Sequence, residues 1–331
     1  MLESGKIVVT GGAGFIGSNF LKMMIEKYPH KEFVNVDVLT YAGNIENLRD
    51  LEDSSNYRFI KGDICDRTLM EKIISKGDIV INFAAESHVD NSINSAAEFI
   101  RTNVLGTQCL LDVSREKEVN LFVQISTDEV YGSLDFDQVS SKEGDLLIPS
   151  SPYSASKAAA EMLCIAAFKT FKFPVIITRS SNNFGPYQFP EKVIPLFVTN
   201  LIEGKSVPLY GEGKNVRDWI YVLDNCDAID FVMKNGKPGE IYNIGGGNEL
   251  KNIELTDIIL NELEKDSSFI ERVPDRKGHD LRYSLDCTKV HSLGWRPKFS
   301  FSEALKETIN WYKQNSDWWK PLKKIEGKRT S

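Results

Sequence analysis

At 331 residues the chain has room for one large domain or two smaller ones. Its 41% hydrophobic and 26% charged residues exclude a disordered chain, and a net charge of −7 argues against a nucleic-acid partner, which would need a basic field. No apolar run approaches membrane-spanning length, so a cytoplasmic protein with no membrane partner is expected. Five scattered cysteines without a C-x-x-C pair, and only four histidines, argue against bound metal.

The first strand is expected at Lys6–Thr10, followed at once by Gly11-Gly-Ala-Gly-Phe-Ile-Gly17 and a helical pattern from Ser18 to about Lys27. The glycines fit two registers, G-x-G-x-x-G from Gly12 and G-x-x-G-x-x-G from Gly11. Either lets a pyrophosphate approach the backbone and sit at a helix N-terminus. A second strand, Phe33–Asp37, ends in an acid about twenty residues on, the place where a carboxylate accepts from ribose hydroxyls and repels a 2′-phosphate. Thr40 and Tyr41 follow, with no arginine to receive such a phosphate, so NAD is favoured over NADP. Tyr57–Ile64 is a third strand, with Asp63 and Ile64 placed to flank an adenine, and Asp78–Ala85 a fourth. His88, just beyond, is given no chemistry.

A long helix is expected from Ala96 to about Lys117 and another from Pro152 to Phe171. Both have broad apolar faces, which cover the sheet or, if wider than the sheet, pair two copies of the chain through 96–117 and 152–171. Between them Leu121–Ser126 is a buried strand, and Thr127, Asp128 and Glu129 fall at its carboxyl end, where open parallel sheets bind ligands. Two carboxylates shielded there should have their pKa values pushed apart, one an acid and its neighbour a base. Extended backbone would aim the neighbours at different atoms of one ligand. Tyr153 and Lys157 lie four apart on one helix face, where an ammonium beside a phenol favours the phenolate that takes a proton from an alcohol. Alone, the trio reads as a turn and the Tyr/Lys pair as a solvated helix face; behind a nucleotide-binding fingerprint they read as chemistry.

After the strand Pro174–Arg179 the strand–helix alternation weakens. The expected fold is α/β, a doubly wound parallel Rossmann sheet over 1–180, with return segments near 217–245, and a smaller loop-rich substrate region over 181–331. Arg217, Arg276 and Arg282 are candidates for a diphosphate, and the lysine-rich tail from Lys320 reads as solvated and frayed.

These motifs resemble the extended short-chain dehydrogenase/reductase superfamily and, within it, the dTDP-glucose 4,6-dehydratases, over nearly the whole chain. The matching residues are Thr10–Gly17, Asp37 with Tyr41-Ala-Gly-Asn44, Ala84-Ala-Glu-Ser-His-Val-Asp90, Ser126–Gly132, Tyr153–Lys157, Ser181–Tyr187, Arg217-Asp-Trp219 and Asp275–Asp280. The glycine and Tyr/Lys motifs belong to the superfamily at large, whereas Thr127-Asp128-Glu129 marks the dehydratases. Asn91 stands where this family usually has arginine, and Lys277 where proline is common.

The resemblance implies a redox-neutral cycle on a nucleotide-activated hexose: oxidation at carbon 4, elimination across carbons 5 and 6, and reduction at carbon 6. Tyr153, helped by Lys157 and Thr127, would take the carbon-4 hydroxyl proton. Glu129 would take the carbon-5 proton, and Asp128 would protonate the departing hydroxyl. It implies NAD held by Gly11, Gly14, Phe15, Ile16, Gly17, Asp37, Val38, Leu39, Thr40, Asp63, Ile64, Phe83, Ala84, Ala85, Thr102, Tyr153, Lys157 and Asn183. The nucleotide sugar would touch Ser87, Thr127, Asn182, Lys192, Val193, Pro208, Leu209, Tyr210, Arg217, Asn252, Asp275, Arg276, Lys277, Gly278 and His279. The rivals are a nucleotide-sugar 4-epimerase of the same superfamily, which uses Tyr153 and Lys157 without the acid pair, and a non-catalytic NAD-binding scaffold.

Overall fold

Aliphatic runs buried on both sides become the strands of one large parallel sheet. In the computed structural model, which describes residues 5–275 and 278–327 with side chains as far as Lys323, these strands are β1 (Ile7–Thr10), β2 (Phe33–Asp37), β3 (Tyr57–Lys61), β4 (Ile79–Asn82), β5 (Leu121–Thr127) and β6 (Val175–Ser180). Period-two alternation sends Val8, Val34, Val80 and Phe122 to one face and Val9, Phe33, Ile81 and Val123 to the other. Helices close both faces. Phe20, Leu21 and Met24 of the Phe15–Lys27 helix cover the second, and Leu110, Leu111 and Val113 of Thr107–Glu116 cover the first.

The remaining strands are β7 (Asn182–Phe184), β8 (Val207–Tyr210), β9 (Val216–Tyr221), β10 (Ile241–Ile244), β11 (Glu249–Lys251) and β12 (Ile270–Val273). The large sheet has the order β10-β6-β5-β4-β1-β2-β3, and each neighbouring pair is parallel. The chain works outward from β1 to β3, then crosses back to lay β4 on the other side of β1. The gap between β1 and β4 is therefore the switch point outside which a ligand cleft opens. Of the two return segments expected near 217–245, β10 joins the large sheet beside β6, whereas β9 instead centres a small sheet, parallel to β7 and antiparallel to β11. A parallel β8–β12 pair completes the later part of the chain.

Three local expectations need correction. The first helix begins at Phe15, with Gly14 as its N-cap, because the last glycine of the turn already has helical backbone. The long helix from Ala96 is interrupted: after Ala96–Phe99 a π-helical stretch, Ile100–Gly106, precedes Thr107–Glu116. The tail from Lys320 is not frayed through its described part, since Ser316–Gly327 is helical and Lys323 donates to Asn200 Oδ1 at 2.7 Å, while Lys320 is exposed as expected.

Candidate active site

The glycine turn joins β1 to its helix at the switch point. Gly11 has φ +72°, and a β-carbon there would lie 2.5 Å from Ala84 N; on Gly17 it would lie 2.4 Å from Gly11 O. Side chains are thus excluded from a cradle that exposes helix N–H groups. At the end of β2, Asp37 accepts from Ala13 N at 2.9 Å and Leu39 N at 2.8 Å, so the acid holds the turn in shape. Burial raises its pKa, against those two hydrogen bonds.

One cleft runs over these strand ends. Its walls include Gly11, Gly14, Phe15, Ile16, Gly17, Asp37, Val38, Thr40, Asp63, Ile64, Phe83, Ala84, Ala85, Thr102, Tyr153 and Lys157. Ser87 and Lys192, expected on the sugar side, line it too. The glycine cradle and the acid at the end of β2 fit a dinucleotide with a free ribose. Two expected cofactor residues stand apart from these walls. Leu39 turns through φ +58° beside the cleft, and Asn183 spends its amide on Ser181 O at 2.9 Å and on Asn225, which donates to its Oδ1 at 2.9 Å.

The acid pair follows β5 directly. Asp128–Tyr131 is a 3-10 turn capped by Thr127, whose Oγ1 accepts from Glu129 N and donates to Asp128 Oδ1, both at 3.2 Å. The extended backbone expected at Asp128 and Glu129 is therefore absent: the Thr127 cap satisfies a free N–H and winds the chain. Consecutive side chains are instead separated by roughly 120° of turn. Asp128 is buried, its Oδ2 without a protein partner, while Glu129 is half-buried. Burial, with Glu129 and Asp218 adding to it, pushes the Asp128 carboxyl well above the usual carboxylate range, against Arg217 and the Thr127 hydrogen bond.

Tyr153 and Lys157 enter from the Pro152–Phe171 helix, which Ser151 starts with a capping box shared with Ser154. The Tyr153 phenol feels both Glu129 and Asp128, so phenol and acid pair share one site. Burial, and then those two acids, raise its pKa. Lys157 is not placed to favour the phenolate as expected: it donates to Ile125 O at 2.6 Å, and its own pKa is lowered by burial to about 8, with Glu161 opposing. Without solvent, the cost of ionising the phenol outweighs the ammonium.

Toward the later strands, Arg217 lies over the Tyr283 ring at 4.3 Å and donates to Val216 O at 2.7 Å and Asp280 O at 2.9 Å. Asn182 keeps a buried Oδ1 without a protein partner. Lys192 caps the helix that Val193 opens. Pro208, Leu209 and Tyr210 lie on β8, Tyr210 packing edge-on to His279 at 6.0 Å. Asn252 opens a helix, and its N–H donates to Asn215 O at 2.9 Å. His279 Nδ1 sits 2.7 Å from Asp275 Oδ1, and Gly278 has φ +64°. Arg276 and Lys277 lie outside the described residues. Arg282 is no diphosphate ligand here, because it pairs with Glu249 at 2.8 Å and donates to Gln138 O.

Two groups escaped the sequence reading. Asn103, in the π-helical stretch beside Thr102, accepts from Glu86 N at 2.9 Å and donates to Glu86 O and Ser156 Oγ, tying the loop after β4 to the Tyr/Lys helix. Glu191 accepts from Tyr41 Oη at 3.0 Å and lies 3.5 Å from His88 Nε2, linking three loops at the mouth of the cleft. Neither carries a local motif, because each acts across long sequence separations.

Residues 8–308 match the family model described as GDP-mannose 4,6 dehydratase. A dTDP-glucose 4,6-dehydratase from Streptomyces niveus is 48% identical over 323 residues, covering 96% of each chain. The crystal structure of DesIV, the dTDP-glucose 4,6-dehydratase from Streptomyces venezuelae, with NAD bound, superposes with TM-score 0.93 at 49% identity, covering 96% of this chain and 99% of that one. The Bacillus anthracis dTDP-glucose 4,6-dehydratase in complex with NAD gives TM-score 0.89 at 47% identity, covering 96% of this chain and 100% of that one. The chain belongs to this nucleotide-sugar 4,6-dehydratase family, on the dTDP-glucose 4,6-dehydratase branch of the extended short-chain dehydrogenase/reductases.

Proposed function

We infer that this protein is an NAD-dependent hydro-lyase that converts dTDP-glucose to dTDP-4-keto-6-deoxyglucose and water. The observation that carries the reading is a buried acid, Asp128, whose carboxyl pKa burial and Glu129 raise, set beside Glu129 and Tyr153 at the end of one strand. An epimerase has no use for that acid pair. NAD, held by the cleft residues named above, takes up hydride from carbon 4 and returns it at carbon 6.

The chain's own groups handle the protons. Tyr153, four residues before Lys157 on the same helix, accepts the carbon-4 hydroxyl proton once its own phenol is ionised. The resulting ketone acidifies carbon 5. Glu129, half-buried and less shielded, removes that proton, and Asp128 gives its proton to the carbon-6 hydroxyl, which leaves as water. Arg217, Lys192, Asn182 and the 208–210 and 275–279 segments hold the nucleotide sugar, so that residues 1–180 bind the cofactor and 181–331 most of the substrate.

The protein acts in the cytoplasm, in deoxysugar biosynthesis such as the supply of rhamnose precursors, and as a homodimer. Ile100 and Leu105 on one helical segment and Met162 on another are 53%, 59% and 47% exposed, an apolar strip that a second copy would cover. The test of the activity is incubation with dTDP-glucose in deuterated water. A 4-keto-6-deoxy product with deuterium at carbon 5 is expected; galactose without deuterium overturns the reading.

A further inference from the structure

Behind the acid pair lies a buried polar relay that the proposed proton transfers do not use. Glu161 sits on the Tyr/Lys helix, one turn beyond Lys157 and two beyond Tyr153, and is fully buried. Arg179 on β6 meets it from the sheet: Nε donates to Oε1 at 3.1 Å and Oε2 at 3.0 Å, and Nη2 donates to Oε2 as well. The other arm, Nη1, donates to the Tyr131 hydroxyl at 2.7 Å, and that hydroxyl donates to Asn243 Oδ1 on β10 at 2.8 Å. Tyr131 closes the 3-10 turn that begins with Asp128 and Glu129. In the sheet, Arg179 is paired with Ser126, the residue before Thr127, and with Asn243.

Stability alone does not account for this arrangement. Buried ion pairs recover their desolvation cost poorly, and an apolar trio of the same volume would hold these elements together at least as well. What the relay adds is direction. It joins the helix carrying the phenol to the turn carrying the acids through hydrogen bonds of fixed length, and positioning to within a fraction of an ångström is what proton transfer requires.

We propose that Glu161, Arg179 and Tyr131 are positioning residues that fix the acid pair relative to Tyr153, and that Tyr131, the member on the turn, serves the elimination rather than the first oxidation. The inference rests on the dehydration reading above. Oxidation at carbon 4 depends on Tyr153 and Lys157, whose helix the Glu161–Arg179 pair holds. Elimination depends in addition on the turn, and Tyr131 is the turn's link to that pair.

The test is Tyr131→Phe, which keeps ring packing and the ion pair but removes the bridging hydroxyl. The expected result is a fall in kcat of about 10–100-fold with little change in KM, the size expected of a displacement near 1 Å. Reduced cofactor should build up during turnover, because oxidation outruns elimination. Amide hydrogen exchange should quicken at Val130–Gly132 and stay unchanged along 153–171, a readout independent of turnover. A lower melting temperature with kcat intact, or a fall in kcat with no reduced cofactor accumulating, would overturn the positioning role. Wild-type protein that makes no 4-keto-6-deoxy product from dTDP-glucose would instead overturn the dehydration reading itself.

Discussion

Asp128→Asn isolates the acid step. Asparagine is nearly isosteric, and its carbonyl can still accept from the Thr127 hydroxyl that now donates to Asp128 Oδ1 at 3.2 Å. What disappears is the acidic proton, which burial and the neighbouring Glu129 and Asp218 favour by raising the carboxyl pKa. A positioned general acid contributes about 10²–10⁴ in rate. At about 1.4 kcal/mol per factor of ten, this is roughly 3–5 kcal/mol of the elimination barrier. In a single-turnover experiment the variant should form reduced cofactor at the wild-type rate and hold it, since the 4-keto sugar no longer loses its hydroxyl at speed. Exchange of the carbon-5 proton with solvent should continue, because Glu129 is untouched. The same substitution should stabilise the fold. A carboxyl whose folded pKa lies above its unfolded value contributes stability that is complete below about pH 4 and is lost as pH rises through the folded pKa. The melting-temperature advantage of Asp128→Asn should therefore grow with pH. Undiminished turnover, or reduced cofactor that fails to persist, would refute the assignment.

Tyr153→Phe should stop the cycle one step earlier: no reduced cofactor forms on mixing with dTDP-glucose, and stopped-flow absorbance checks this directly. Gly17→Ala sets a methyl 2.4 Å from Gly11 O, so the purified variant should lose bound NAD on gel filtration while the sheet stays folded by circular dichroism. In the proposed homodimer Leu105 lies on the apolar strip, so Leu105→Glu should leave monomers in sedimentation velocity, since burying a charge there costs several kcal/mol.

How much of this was legible depends on whether the signal was local. The strands β1, β2, β4, β5 and β6 are short buried aliphatic runs, and the glycine turn and the acid ending β2 mark the cofactor side at fixed spacing. Tyr153 and Lys157 share a helix whose bounds, Pro152–Phe171, follow from the proline at its start and the left-handed backbone of Lys172 at its end. The missed features are set at a distance. The π-helical stretch at Ile100–Gly106 makes room for Asn103 to reach Glu86 and Ser156, 17 and 53 residues away. Arg282 looked free for a phosphate until Glu249, 33 residues away, was found beside it. The buried Arg179 read only as the last residue of a strand, because Glu161 and Tyr131 bear no fixed spacing to it.

The acid pair itself shows why a short turn suits this chemistry. An extended segment would have sent Asp128 and Glu129 to opposite faces of the sheet, and a carboxylate beneath the strand ends could not reach the ligand cleft. The 3-10 turn follows the strand end directly, and its rotation of roughly 120° per residue goes with unequal burial of the two acids. Unequal burial is what separates an acid from a base when both are carboxyls: Asp128 is sealed in, which raises its pKa, and Glu129 is half-buried. Thr127 makes the turn possible by capping it, its hydroxyl accepting from Glu129 N and donating to Asp128 Oδ1. One side chain therefore sets the backbone that divides the acids and holds one of them, in the site that the Tyr153 phenol shares.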